Sequence, residues 1–183
     1  MNNTLILITG MPATGKSTFA SWLSSELCVP LVSYDNIKRK TLEIADNHEK
    51  RDAFVAVPYE FLLFTVEEIM KSSSPVIADY IFSDHMRDVL DMLTEKYAYK
   101  TISVHMDADI EPAYHRFTER SNSESAINGI RPSEISFERF AKGVKQNKDF
   151  RYGDNIIIVN TTDFHSVSYE NIVSQIRQAE RKG

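Results

Sequence analysis

One cysteine, six glycines and six prolines are all that this 183-residue chain carries of the residues that staple or break a fold. The lone thiol, Cys28, excludes an internal disulfide and suits a reducing compartment, so a cytoplasmic location is expected. No apolar run approaches the roughly 18 residues of a membrane span. No basic segment precedes the first apolar stretch, so neither a membrane association nor a secretory signal is expected. Basic charge is short as well. Lys and Arg number 21 against 26 Asp and Glu, and the formal net charge of −5 argues against extended nucleic-acid binding. Five scattered histidines without ligand spacing exclude a structural zinc site. With 42% hydrophobic and 26% charged residues, the remainder suits one domain over residues 1–183 with a sizeable core.

Against that plain background one segment is dense with chemistry. Leu5–Ile8 is an uncharged apolar run that reads as a buried strand, and it leads into Gly10-Met11-Pro12-Ala13-Thr14-Gly15-Lys16-Ser17-Thr18. The two glycines bracket a loop whose backbone N–H groups can turn inward around an anion. Lys16 then supplies a cation for the β- and γ-phosphates, Ser17 a hydroxyl for Mg²⁺, and the following helix its positive dipole end. A glycine turn that merely joined strand to helix would not demand Gly-Lys-Ser-Thr. ATP and Mg²⁺ are the expected ligands.

Apolar residues at Phe19, Leu23 and Leu27 mark the first helix, on which Cys28 reads as a small packing residue. Further strands are expected at Leu31–Tyr34, Pro75–Asp79, Thr101–Met106 and Asn155–Asn160. Helices are expected over Asp35–Ala45, Arg51–Lys71 with a start or kink at Pro58, Ser83/Asp84 to Tyr97, Asp109–Arg120, around Phe137–Val144, and around Tyr169–Ile176. Phe61–Phe64 is apolar on most sides and reads as sandwiched. Ser121–Ser133 is polar and aperiodic, and reads as a loop. Strands alternating with helices predict a three-layer α/β/α fold with a five-stranded parallel sheet. A helical lid is expected over about residues 116–135.

In such a sheet ligands sit beyond the carboxyl ends of the strands. Asp35 follows the second strand, and can be a helix N-cap, a base for an attacking hydroxyl, or both. Lys38, one turn later, joins it as a substrate-binding candidate, or belongs with Arg39 and Lys40 to a surface run. Asp79 ends the third strand and is the natural partner of Ser17 on a metal, if it is not simply a turn cap. Asp79 also borders the acceptor. Tyr59, with Phe54 and Phe61, walls the acceptor pocket or forms plain core. Residues 116–151 hold eight basic against five acidic residues, so this stretch is +3 in a chain otherwise −8. Within it Arg116 and Arg120 are four apart, point the same way on a helix and match phosphate oxygens. Pairing of Arg120 with Glu119 or Glu124 is the alternative, and Arg131 is the less favoured lid cation.

These segments together, G-M-P-A-T-G-K-S at 10–17, S-Y-D-N-I-K at 33–38, V-I-A-D at 76–79 and Arg116/Arg120 before a lid, resemble the P-loop kinase superfamily. The nearest resemblance is to its polynucleotide kinase, zeta-toxin and chloramphenicol phosphotransferase branch. The resemblance implies an ATP-dependent kinase acting on a hydroxyl of a small molecule or an oligonucleotide 5′ end. It implies Asp35 as general base, Lys16 and Ser17 on the donor, and Arg116 and Arg120 as catalytic lid arginines. The branch commonly has arginine where this chain has Lys38. A nucleoside or nucleotide kinase usually shows an acidic-arginine motif after the third strand, which Asp79-Tyr80-Ile81-Phe82 lacks. A GTPase-like switch would use Asn160-x-x-Asp163 for guanine, yet lysine is missing at the second position; the stretch reads as a turn near the adenine. A nucleotide-binding module without turnover is the remaining alternative.

Overall fold

The computed structural model describes residues 2–45, 57–128, 135–147, 149–153 and 155–182. Five parallel strands, β1 (Thr4–Gly10), β2 (Leu31–Ser33), β3 (Val76–Asp79), β4 (Lys100–Asp107) and β5 (Asn155–Asn160), form one sheet in the order β2-β3-β1-β4-β5. The central β1 is buried along its whole length, as expected for a parallel strand covered on both faces. The α/β architecture predicted from the strand–helix alternation is therefore the one observed.

The two sheet faces bury different sets. Ile6, Ile8, Ile102, Val104 and Met106 pack under α1 (Lys16–Leu27) and α7 (Tyr169–Lys182), through Phe19, Leu23, Ile172 and Ile176. Leu5, Leu7, Val76 and Ala78 pack under α3 (Val57–Met70) and α4 (Arg87–Tyr97), with Phe150 and Tyr152 covering the β4 side. The helix α2 (Tyr34–Ala45) follows β2 without a gap. A third cluster joins α5 (Ile110–Asn128) to α6 (Phe137–Asn147): Ala113, Phe140 and Val144 close around Met11 of the glycine loop.

Several sequence expectations are corrected. Residues 121–128 continue α5 instead of forming a loop. Residues 129–134, with Gly129, Arg131 and Pro132, lie outside the described residues, as does Phe54. The third helix begins at Val57, with Pro58 buried in its first turn, where a missing N–H costs nothing. Phe61 and Phe64 are 56% and 59% exposed, so they are not sandwiched; Leu62, Val66 and Met70 form the buried stripe. Cys28 is exposed in a left-handed conformation just past α1, and does not pack. Ser83 makes no capping hydrogen bond; a 3₁₀ turn at Asp84–Met86 precedes α4. No helix among the described residues is long and apolar enough to cross a membrane.

Candidate active site

At the carboxyl end of β1 the chain makes its closest backbone approach. Gly10 has φ +120°, and a Cβ there would stand 2.0 Å from the Met106 carbonyl oxygen, so only glycine fits. The Met11 N–H donates to that same oxygen at 3.1 Å, tying the loop to β4. Pro12 and Ala13 form the outer bend, with Ala13 at φ 59°, and Gly15 at φ 80° opens α1. The buried Thr14 hydroxyl donates to the Met11 carbonyl at 2.8 Å. The Lys16 ammonium donates to the same carbonyl, which folds the side chain across the mouth of the loop. Ser17 and Thr18 are exposed in the first turn of α1.

Lys16 is an ammonium without its water. Burial pushes its pKa down to about 8, against the opposing pull of Asp79 and Asp35, and the positive charge of Arg120 adds to the fall. Asp79, Asp35 and Arg120 thus lie close enough to act on the charge of Lys16. Asp79 is itself buried, at 3% exposure. Burial raises its pKa, while the Ser17 hydroxyl and Lys16 oppose the rise. Ser33 donates to Asp79 Oδ2 at 3.2 Å. The Ser17 hydroxyl also lies within hydrogen-bonding reach of Asp79. Among the described residues no group of three or more His, Cys, Asp or Glu is arranged to hold a metal ion. A lone carboxylate with a hydroxyl suits Mg²⁺, which keeps waters and phosphate oxygens as its other ligands.

The two arginines of α5 part company. Arg116 Nη1 donates to the Thr161 carbonyl at 2.8 Å and Nε to Pro112 at 3.2 Å, and the guanidinium lies 4.2 Å from the Phe164 ring centroid. Its Nη2 is buried without a hydrogen-bond partner. Backbone carbonyls hold Arg116 at the loop after β5, and Arg120, one turn on, acts on the charge of Lys16. Phe164 packs against Gly15, where a Cβ would meet its ring at 3.1 Å. Asn160 and Asp163 spend their side chains inside that loop, accepting from Thr162 N and His165 N at 2.8 and 2.9 Å. The loop is thus a turn tied down by its own side chains, and Phe164 sets it beside Gly15.

On the opposite side, Asp35 stands exposed in the first turn of α2, one residue inside the helix. Lys38 is exposed one turn later and makes no ion pair with it, while Arg39 and Lys40 both pair with Glu43 on the surface. Tyr34 and Tyr80 flank the two carboxylates in sequence and meet with ring centroids 4.3 Å apart. Tyr59, in the first turn of α3, completes the group at 6.3 Å from Tyr80. All three are half-buried, and burial raises their pKa values; Asp35 adds to the rise at Tyr34 and Tyr80. Tyr34 and Tyr80 were missed by sequence reasoning, although S-Y-D and D-Y place them beside the two carboxylates. Also missed was His105, buried on β4 with Arg151 Nη1 at 3.1 Å from Nδ1. Burial pushes His105 down to about 4, and Arg151 adds to the fall.

Solved structures share this fold. A protein from Chloroflexus aurantiacus that carries a provisional kinase name superposes with a TM-score of 0.82 at 22% identity, over 100% of this chain and 99% of that one. The APS kinase of Mycobacterium tuberculosis, solved with AMPPNP and APS, gives 0.63 at 11% identity, over 98% of each chain. A gluconokinase from Sinorhizobium meliloti gives 0.58 at 15% identity, over 98% of this chain and 95% of that one. At these identities the likeness establishes the fold. Among curated proteins none matches this sequence. The sequence does match the AAA domain family across residues 5–145, and the chain belongs to that family.

Proposed function

We propose that this protein is an ATP-dependent kinase that transfers the γ-phosphoryl group to an alcohol, on a small molecule or an oligonucleotide 5′ end. The observation that carries the reading is the burial of Lys16 at the glycine loop with both Asp79 and Asp35 acting on its charge, Asp35 being exposed in the first turn of α2. A kinase needs a cradled triphosphate, a cation at the transferred group and a base at the nucleophile, and these residues supply one each.

Loop residues 10–18 hold the phosphates with backbone N–H groups, and Lys16 leaves the Met11 carbonyl for the phosphate oxygens. Ser17 and Asp79 would hold Mg²⁺, which neutralises charge on the phosphates when bound. Arg120 faces the transferred group from α5. Arg116 and Phe164 form the platform for the base, whose edge meets the unpartnered Nη2. As the acceptor oxygen bonds to phosphorus, its proton passes to Asp35 and the bond to the departing diphosphate breaks. The span of about residues 116–135 serves as the lid.

Replacement of Asp35 by Asn tests this reading. Turnover should fall by about 10²–10⁴-fold, the usual weight of a general base, while calorimetry shows MgATP still binding. An Asp35→Asn protein that consumes ATP at the original rate, across hydroxylated metabolites, antibiotics, nucleosides and 5′-hydroxyl oligonucleotides, would sink it.

A further inference from the structure

We propose that the crevice at Asp35 accepts an uncharged sugar ring, free or within a glycoside or nucleoside, and disfavours acceptors bearing a carboxylate or phosphate. This deepens the kinase reading and rests on it. The geometry comes from three separate elements: Tyr34 opens α2, Tyr80 follows β3 directly, and Tyr59 lies in the first turn of α3. Their rings converge, with Tyr80 central at 4.3 Å from Tyr34 and 6.3 Å from Tyr59. Tyr80 is held there from behind, edge-on to the buried Phe82 at 5.6 Å and through its N–H to the Ile8 carbonyl. The wall is therefore fixed, not an accident of loose surface side chains.

None of the three phenol oxygens has a hydrogen-bond partner among the described residues. A phenol presents an apolar ring and a polar tip, which matches a sugar, whose ring has an apolar C–H face and a hydroxyl rim. A phenol hydroxyl can donate as well as accept, which suits the hydroxyl rim.

Charge supports the same class. Asp35 and Asp79 both act on the charge of Lys16, and Glu60 follows Tyr59. Among the described residues no arginine is stacked on the three tyrosine rings. Arg87 instead bonds Asp84 and the Arg151 carbonyl while lying over Phe150 and Tyr152, and Arg151 lies against His105. Lys16 and Arg120 belong to the donor side, and among the described residues of α2 Lys38 is exposed while Arg39 and Lys40 pair with Glu43. At the tyrosine wall a carboxylate or phosphate would meet the repulsion of Asp35 and Asp79. A neutral ring meets no such repulsion.

Matched ligands test this: methyl glucoside against methyl glucuronide, and cytidine against its monophosphate. Saturation-transfer NMR on the full chain reads binding, calorimetry reads MgATP, and an ATP-consumption assay reads turnover. At least one uncharged member should receive saturation on its ring protons and bind about tenfold or more tightly than its charged partner. Tyr80→Leu should lose about tenfold of that binding, and Tyr80→Phe less, with MgATP binding unchanged in both. Tyr59→Leu, in the first turn of α3, gives the same readout if Tyr80→Leu does not fold. A charged member that binds equally well, unchanged binding in the folded leucine variant, or no saturation transfer from any uncharged member would overturn the proposal. Those results would leave the kinase reading intact, because that reading fails on Asp35→Asn turnover and not on acceptor preference. Glucoside against cytidine separates a simple glycoside from a nucleoside as the source of the ring.

Discussion

Around the glycine loop the ligand-facing groups belong to consecutive residues, and most are backbone N–H groups fixed by the turns at Gly10, Ala13 and Gly15. Around Asp35 they are side chains, brought together from α2, β3 and α3 across more than forty positions. The donor half is thus a conformation of the main chain, which recognises what all triphosphates share. The acceptor half is a choice of side chains on the same frame, which can be changed without disturbing the cradle. A common reaction and a private substrate follow from that division of labour.

Lys16→Met should break the donor half most severely. One donor aimed at developing charge is worth about 10²–10³-fold in kcat, and sugar binding at the tyrosines should survive. Equal losses in both halves would show that they are not separable. A smaller effect is expected in stability at His105, which lies on β4, across β1 from the Asp35 side. Below pH 6.5 the unfolded chain takes up a proton on this histidine, whereas the folded protein resists until about pH 4. Stability is therefore full above 6.5 and declines as pH falls through that window, by up to about 3 kcal/mol. Denaturant titrations of His105→Leu should show a flatter decline from pH 6.5 to 4; parallel curves would remove His105 as the cause.

Phe164→Ala should weaken nucleotide binding by about tenfold through loss of the ring face and leave acceptor affinity alone. The finest test concerns protons. In the free protein Lys16 titrates at about 8, and bound phosphates raise that value. Triphosphate affinity should consequently fall as pH rises above 8, with uptake of less than one proton per nucleotide near pH 8.5. Calorimetry in two buffers of different ionisation enthalpy measures that uptake, and zero uptake would place the ammonium elsewhere.

The same division explains what could be read in advance. Backbone sites need fixed spacing, so Gly10, Gly15, Lys16 and Ser17 announce themselves, and the strands do so through their uncharged runs. Asp35 and Asp79 were legible because strand ends are where ligands lie. Tyr34 and Tyr80 were not, because each looks locally like the last or next residue of an element and only tertiary packing joins them. Residues 121–128 misled through composition: polar residues without a period carry no helical stripe, yet the helix from Ile110 runs through them. Phe61 and Phe64 misled in the opposite sense. The period set by Leu62, Val66 and Met70 turns them outward, and hydrophobicity alone does not say which side of a helix wins. Arg116 and Arg120 share a helix face by spacing, but two carbonyls decide where the first one rests.

Met11 carries a consequence beyond its place in the loop. Its carbonyl restrains the Lys16 ammonium and the Thr14 hydroxyl, its N–H is anchored on β4, and its side chain is the floor on which Phe140 and Val144 sit. Met11 therefore joins the glycine loop to the packing of α5 against α6, so Met11→Ala should loosen both at once.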